Sequence, residues 1–173
     1  MNFNAEYPLL NDHFHVFKNV NYKKMMSIIN KFKSGVILVG GAWCKNCQAV
    51  MHIINDVAKE NKIRSVNHFD PKFINIFKEE VDLRDCLDLE TKLDYYYFIE
   101  KIGFKSKTLV KDTLIPRLPV PAVIGIRNGV CVGIITDEYV LDEKGLHTED
   151  SEEDKTLEYR AKLDELFKTV KEK

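Results

Sequence analysis

The stretch "VGGAWCKNCQAV", residues 39–50, places two cysteines three apart behind a tryptophan, and its reading decides the fold. Just upstream, "VILV", 36–39, is a short unbroken apolar run, the pattern of a strand buried on both faces. Downstream, Val50, Ile53, Ile54 and Val57 recur at helical spacing. The pair therefore sits where a buried strand gives way to a helix, with Cys44 in the first helical turn. Three chemistries suit such a pair: half of a metal site, a redox-active disulfide, or two buried core thiols. A closed zinc site needs about four ligands. Cys86 and Cys131 are isolated, and His13, His15, His52, His68 and His147 form no ligand cluster by spacing. The redox reading is favoured and no metal is expected, with the metal and inert readings left standing as rivals.

Composition bounds the rest. At 173 residues and 45% hydrophobic, the chain suits one domain, 1–173, with one core. Twenty-six basic and 27 acidic side chains give a net charge of −1, against the basic excess of a nucleic-acid binder. No apolar run approaches the ~20 residues of a membrane span. The opening "MNFNAEYPLLNDHF" has neither a basic nor an apolar signal region. Four cysteines are too sparse for a disulfide scaffold. The expectation is a cytoplasmic monomer that binds neither nucleic acid nor membrane.

Outward from the motif, Tyr22, Met25, Met26, Ile29 and Phe32 predict a helix over 22–32, ended near Gly35. "IRSVNHF", 63–69, is a weaker strand. Asp70 and Pro71 read as the cap and first residue of a helix carrying Phe73, Ile74, Phe77 and Val81 on one face. A second helix is expected over 86–102, ending at Gly103, then an irregular stretch over 105–119. "PAVIGI", 121–126, and "VCVGII", 130–135, flank Asn128-Gly129 as a hairpin. A last helix is predicted over 152–171, opened by a capping box at Ser151 to Asp154. The order gives an α/β fold: a small mixed sheet with helices on both faces.

With these residues in place, Trp43-Cys44-Lys45-Asn46-Cys47 between a buried strand and a helix resembles the active site of the thioredoxin-like superfamily. "VPAVIGIRNGVCVGII", 120–135, is similar to the second half of that fold, where a cis-proline precedes a strand and a hairpin. The match covers roughly 20–69 and 119–171, leaving about 72–115 as a helical insertion before the cis-proline strand. The resemblance implies a thiol–disulfide oxidoreductase in which Cys44 is the nucleophile and Cys47 the resolving thiol. A helix N-terminus favours negative charge, and the thiolate is the attacking species. Trp43, Val120 and Pro121 would contact substrate, with Val120–Pro121 cis and against the cysteines. The resemblance implies no cofactor beyond a Cys44–Cys47 disulfide. The implied partners are disulfide-bearing proteins and a reductant, either a thioredoxin-reductase-like protein or a small thiol.

Two departures stand out. Leu38 occupies the position where thioredoxins carry a buried aspartate, which leaves Cys47 without that base. Lys45-Asn46 replaces Gly-Pro between the cysteines, which suggests a more oxidising couple. Leu38 keeps a second reading alive: a binding or adaptor module of the same fold with weak redox activity. His52, two turns beyond Cys44, is about 12 Å away and too far for a base. Cys131 and Cys86 read as core or tolerated thiols, and "YYYF", 95–98, as packing rather than docking. Residues 137–154 hold nine acidic side chains against Lys144 alone, a solvated loop that would give the cysteine end an acidic rim.

Overall fold

The computed structural model describes residues 1–74, 78–85, 88–136 and 149–172. In chain order the elements are α1 (Phe3–Glu6), β1 (Phe17–Asn19), α2 (Tyr22–Asn30), β2 (Gly35–Val39), α3 (Lys45–Glu60), β3 (Val66–Phe69), β4 (Lys72–Ile74), β5 (Glu80–Asp82), α4 (Leu89–Ile102), β6 (Ala122–Arg127), β7 (Val130–Ile135) and α5 (Glu149–Lys171). Among the described residues the main sheet has the order β1-β3-β2-β6-β7. The strands β1, β3 and β2 are parallel, and β6 and β7 join antiparallel. This is the α/β arrangement, a mixed central sheet with helices on both faces, that the sequence implied.

The two faces of the sheet can be assigned from close contacts. A Cβ placed on Gly35 would meet Ile28 of α2 at 3.8 Å, whereas one on Gly125 would meet Leu166 of α5 at 2.7 Å. Gly125 pairs with Val36, and directly paired residues share a face. Val36 and Leu38 therefore face the α5 side, where α3 and α5 pack together, while Gly35, Ile37 and Val39 face α2. With both faces covered, β2 and β6 are buried almost throughout, which is why they read as continuous apolar runs. The β6–β7 turn has φ of 51° at Asn128 and 79° at Gly129, the left-handed pair that a two-residue hairpin needs.

Several expectations are corrected. Residues 70–81 do not form a helix: Lys72 pairs with Asp82, and Ile74 with Glu80, in an antiparallel hairpin. The Asp70 carboxylate does accept the Lys72 N–H at 2.9 Å, but that bond serves a turn as well as a helix cap. Phe73 and Ile74, placed by the sequence on a buried helix face, are exposed. The insertion is thus a hairpin followed by one helix, α4, capped by Asp88 and ended by left-handed Gly103. Gly35 opens β2 rather than ending α2. The last helix, α5, starts at Glu149 rather than at 152, so the predicted cap position Ser151 falls within it. Cys86, Phe77 and 137–148, most of the acidic stretch, lie outside the described residues.

The N-terminal segment, unread in the sequence, adds the edge strand β1 and an aromatic cluster. Phe3 packs within 4.9–5.6 Å of His15, Phe17 and His68. "YYYF" divides: Tyr95 and Phe98 are buried as packing residues, while Tyr96 and Tyr97 are exposed. The Tyr95 hydroxyl donates to the Pro116 carbonyl at 2.9 Å and accepts from the Leu118 N–H at 2.7 Å, fixing the irregular segment that leads to Val120.

Candidate functional site

Cys44 is the N-cap of α3, and its sulfur accepts the Cys47 N–H at 3.3 Å. A cysteine here takes the position that Ser, Thr or Asp usually fills, aiming its sulfur at the unpaired N–H groups of the first turn. Cys44 is half-buried, and its Sγ lies 3.6 Å from the Val120 carbonyl oxygen. Cys47, one turn on, is buried. Both are thiols, not a disulfide. The bond with Cys44, then burial, raise the Cys47 pKa, while the Gly41 backbone and the Arg84 cation pull the other way.

Gly40 is where strand, helix and proline converge. A Cβ there would sit 2.6 Å from Cys47 Sγ and 3.9 Å from Pro121 Cα, so only glycine fits without displacing the thiol. Val120–Pro121 is cis, as expected, and both residues are buried beside the motif. Lys45 is exposed and Asn46 half-buried. These residues border an open groove of about 390 Å³, with Trp43 to Asn46 on one side and Arg84, Arg117, Pro119 and Val120 on the other.

Trp43 is 42% exposed but not loose. Its indole N–H donates to Asp70 Oδ1 at 3.0 Å, and Lys72 Nζ and Arg84 Cζ stand 4.5 and 5.3 Å from the ring centroid. Burial raises the Asp70 pKa, with the Trp43 bond opposing. Arg117 clasps Asp85 through Nε and Nη2 at 2.8 and 2.5 Å. The sequence gives Asp70 to a helix cap and Arg117 to an irregular stretch and leaves Arg84 between two expected helices, so none of the three is legible there as a site residue. The alternation of Val81 and Leu83 with Asp82 and Arg84 was the available strand signal.

Leu38 is fully buried and pairs with His68 on β3 and Val123 on β6. His68 thus stands beside Leu38, on the same face of the sheet. Its Nε2 is 2.9 Å from the Tyr7 hydroxyl, and its buried Nδ1 has no hydrogen-bond partner among the described residues. Burial lowers the His68 pKa to about 4, so the ring is neutral. Cys131 is half-buried in β7, and burial raises its pKa. Among the described residues, no group of three or more His, Cys, Asp or Glu is placed to hold a metal. Nor, among them, is any helix long and apolar enough to cross a membrane.

No protein-family model and no curated protein matches the chain. Among solved structures it is similar to thioredoxin O2 from Arabidopsis thaliana in the oxidized state, at 12% identity and a TM-score of 0.44, covering 88% of this chain and 96% of that one.

Proposed function

We propose that the protein is a thiol–disulfide oxidoreductase acting on disulfides of protein partners. The observation that supports this best is Cys44 as N-cap of α3, its sulfur on the Cys47 N–H and beside the Val120 carbonyl in an open groove. In the proposed cycle the Cys44 thiolate attacks a substrate disulfide, forming a mixed disulfide and expelling one substrate thiolate, which takes up a proton. Cys47 then loses its proton and attacks the Cys44 sulfur, which closes the Cys44–Cys47 disulfide and releases the second substrate thiol. The substrate gains two electrons and two protons, and a reductase or small thiol restores the dithiol. Trp43, Val120 and Pro121 are the proposed substrate contacts, Val120 through backbone pairing with an extended segment.

Reduction of insulin disulfides in the presence of a dithiol tests the reading. Wild-type protein accelerates precipitation of the insulin chains and Cys44→Ser does not; equal rates would remove the proposal. The adaptor reading draws on Leu38, an aliphatic residue where a carboxylate could have served as base, and on the burial of Cys47, which raises its pKa and slows resolution. Insulin reduction no faster than by the dithiol alone would favour it.

A further inference from the structure

We propose that Arg84 is a positioning residue of the thiol site: held beneath the groove, it fixes Trp43 against the cysteine motif and supplies a permanent positive charge that favours the thiolate. The proposal rests on the thiol reading above and adds to it a residue of the insertion.

Among the described residues Arg84 is the only lysine or arginine that is buried, at 4% exposure. Its Nε and Nη2 donate to the two carboxylate oxygens of Asp82 at 2.9 and 2.7 Å. Its Nη1 donates to the Leu118 carbonyl at 3.3 Å, two residues before Val120. Its Cζ stands 5.3 Å from the centroid of Trp43, the neighbour of Cys44, and it lines the groove that Cys44 lines. One side chain therefore joins the β4–β5 hairpin, the tryptophan beside the nucleophile and the wall that carries Val120. A buried ion pair is weak support for stability alone, because desolvation offsets most of its attraction. Asp82 would satisfy the charge with no contact to Trp43 or Leu118, so those two contacts point to the site. The planar fork also matters, because a lysine cannot hold a carboxylate and a carbonyl in fixed directions at once.

The other charged or titratable groups around the dithiol are Lys45 on α3, Lys72 on β4, Asp70 between β3 and β4, and the Arg117–Asp85 pair. Tyr7 and Tyr159 also lie close enough to feel the charge of Cys47, and His68 is bonded to Tyr7. The lysines stand on more exposed side chains, where solvent screens them. Arg84 acts from inside, where a charge is felt more strongly.

The test is the rate of Cys44 alkylation by iodoacetamide against pH, on reduced protein whose fold is checked by circular dichroism. Arg84→Gln is expected to slow alkylation at pH 6.5 by roughly three- to tenfold and to shift Trp43 emission. Asp82→Asn, which removes the counter-charge and keeps the arginine, is expected to speed it by a similar factor. Arg84→Lys keeps the charge and is expected to restore most of the rate but not the Trp43 emission. A folded Arg84→Gln protein with the wild-type pH profile overturns the proposal. Should Arg84→Gln fail to fold, an unchanged profile in Asp82→Asn overturns it instead. Alkylation is read without any substrate, so a protein inactive on insulin leaves this test intact.

Discussion

At the scale of single residues, the two cysteines differ in surroundings rather than in type. Cys44 caps a helix at the floor of an open groove, whereas Cys47 is sealed beneath it with a raised pKa. Cys44 is therefore expected to react first with alkylating agents, by at least about tenfold at neutral pH, as mass spectrometry of peptides from briefly labelled protein would record. Faster labelling of Cys47 would reverse the roles. Burial also fixes the sign of a pH effect, because it raises the Cys47 pKa even when Cys44 is tied up in a mixed disulfide: closure should accelerate, by up to about tenfold per pH unit, as the thiolate fraction rises. Cys47→Ser should accumulate covalent adducts on Cys44 that a Cys44→Ser, Cys47→Ser protein lacks. Adducts shared by both would belong to another thiol, such as Cys131.

At the scale of elements, the junction of β2 with α3 leaves no spare volume. Gly40→Ala forces a methyl group to within 2.6 Å of Cys47 Sγ. The expected loss is about 1–3 kcal/mol of stability, read by urea unfolding, together with at least about tenfold in exchange rate. An alanine variant matching wild type in both would mean that the helix start moves freely. Strand β3 carries a second consequence. His68 has a folded pKa of about 4, below the unfolded value of about 6.5. Its folded pKa is depressed, so its contribution to stability is complete above pH 6.5 and lost as pH falls toward 4, where the unfolded chain takes up a proton that the native fold refuses. The loss across that window is on the order of 3 kcal/mol. Unfolding free energies at intervals from pH 7 to 4 should show the slope, and His68→Phe should flatten it. Equal slopes in the two proteins would place the proton elsewhere. The hairpin β4–β5 shows why this region misled a local reading. A carboxylate accepting an N–H two residues on opens a turn or a helix equally well, and only the pairing of Lys72 with Asp82 decides between them.

At the scale of the whole molecule, the sheet presents the ends of β2 and β6 together, beside a groove bordered by cationic side chains from several elements. Lys45, Arg84 and Arg117 border the groove, and no carboxylate borders it among the described residues. Positive charge favours the dithiolate side of the couple, and Leu38 adds no negative charge to oppose it. The Cys44–Cys47 couple is therefore expected to be more oxidising than the about −270 mV of thioredoxin. Equilibration with glutathione buffers and quantitation of the dithiol measures it; a clearly more negative potential would falsify the electrostatic argument.

The sequence by itself determined the thiol pair, its place between a buried strand and a helix, the Asn128-Gly129 hairpin and the mixed sheet, while the cis Val120–Pro121 peptide was expected only through the family resemblance. Each of the former is a short-range signal: apolar periodicity or a turn that demands positive φ. Tertiary structure alone decided what surrounds the pair. Arg84 and Arg117 reach the groove from segments distant in sequence, Asp70 holds Trp43 from just beyond β3, and His68 comes to lie beside Leu38 only through the pairing of β2 with β3. No local pattern encodes those meetings, because a side chain's charge and spacing say nothing about which distant backbone will be folded against it.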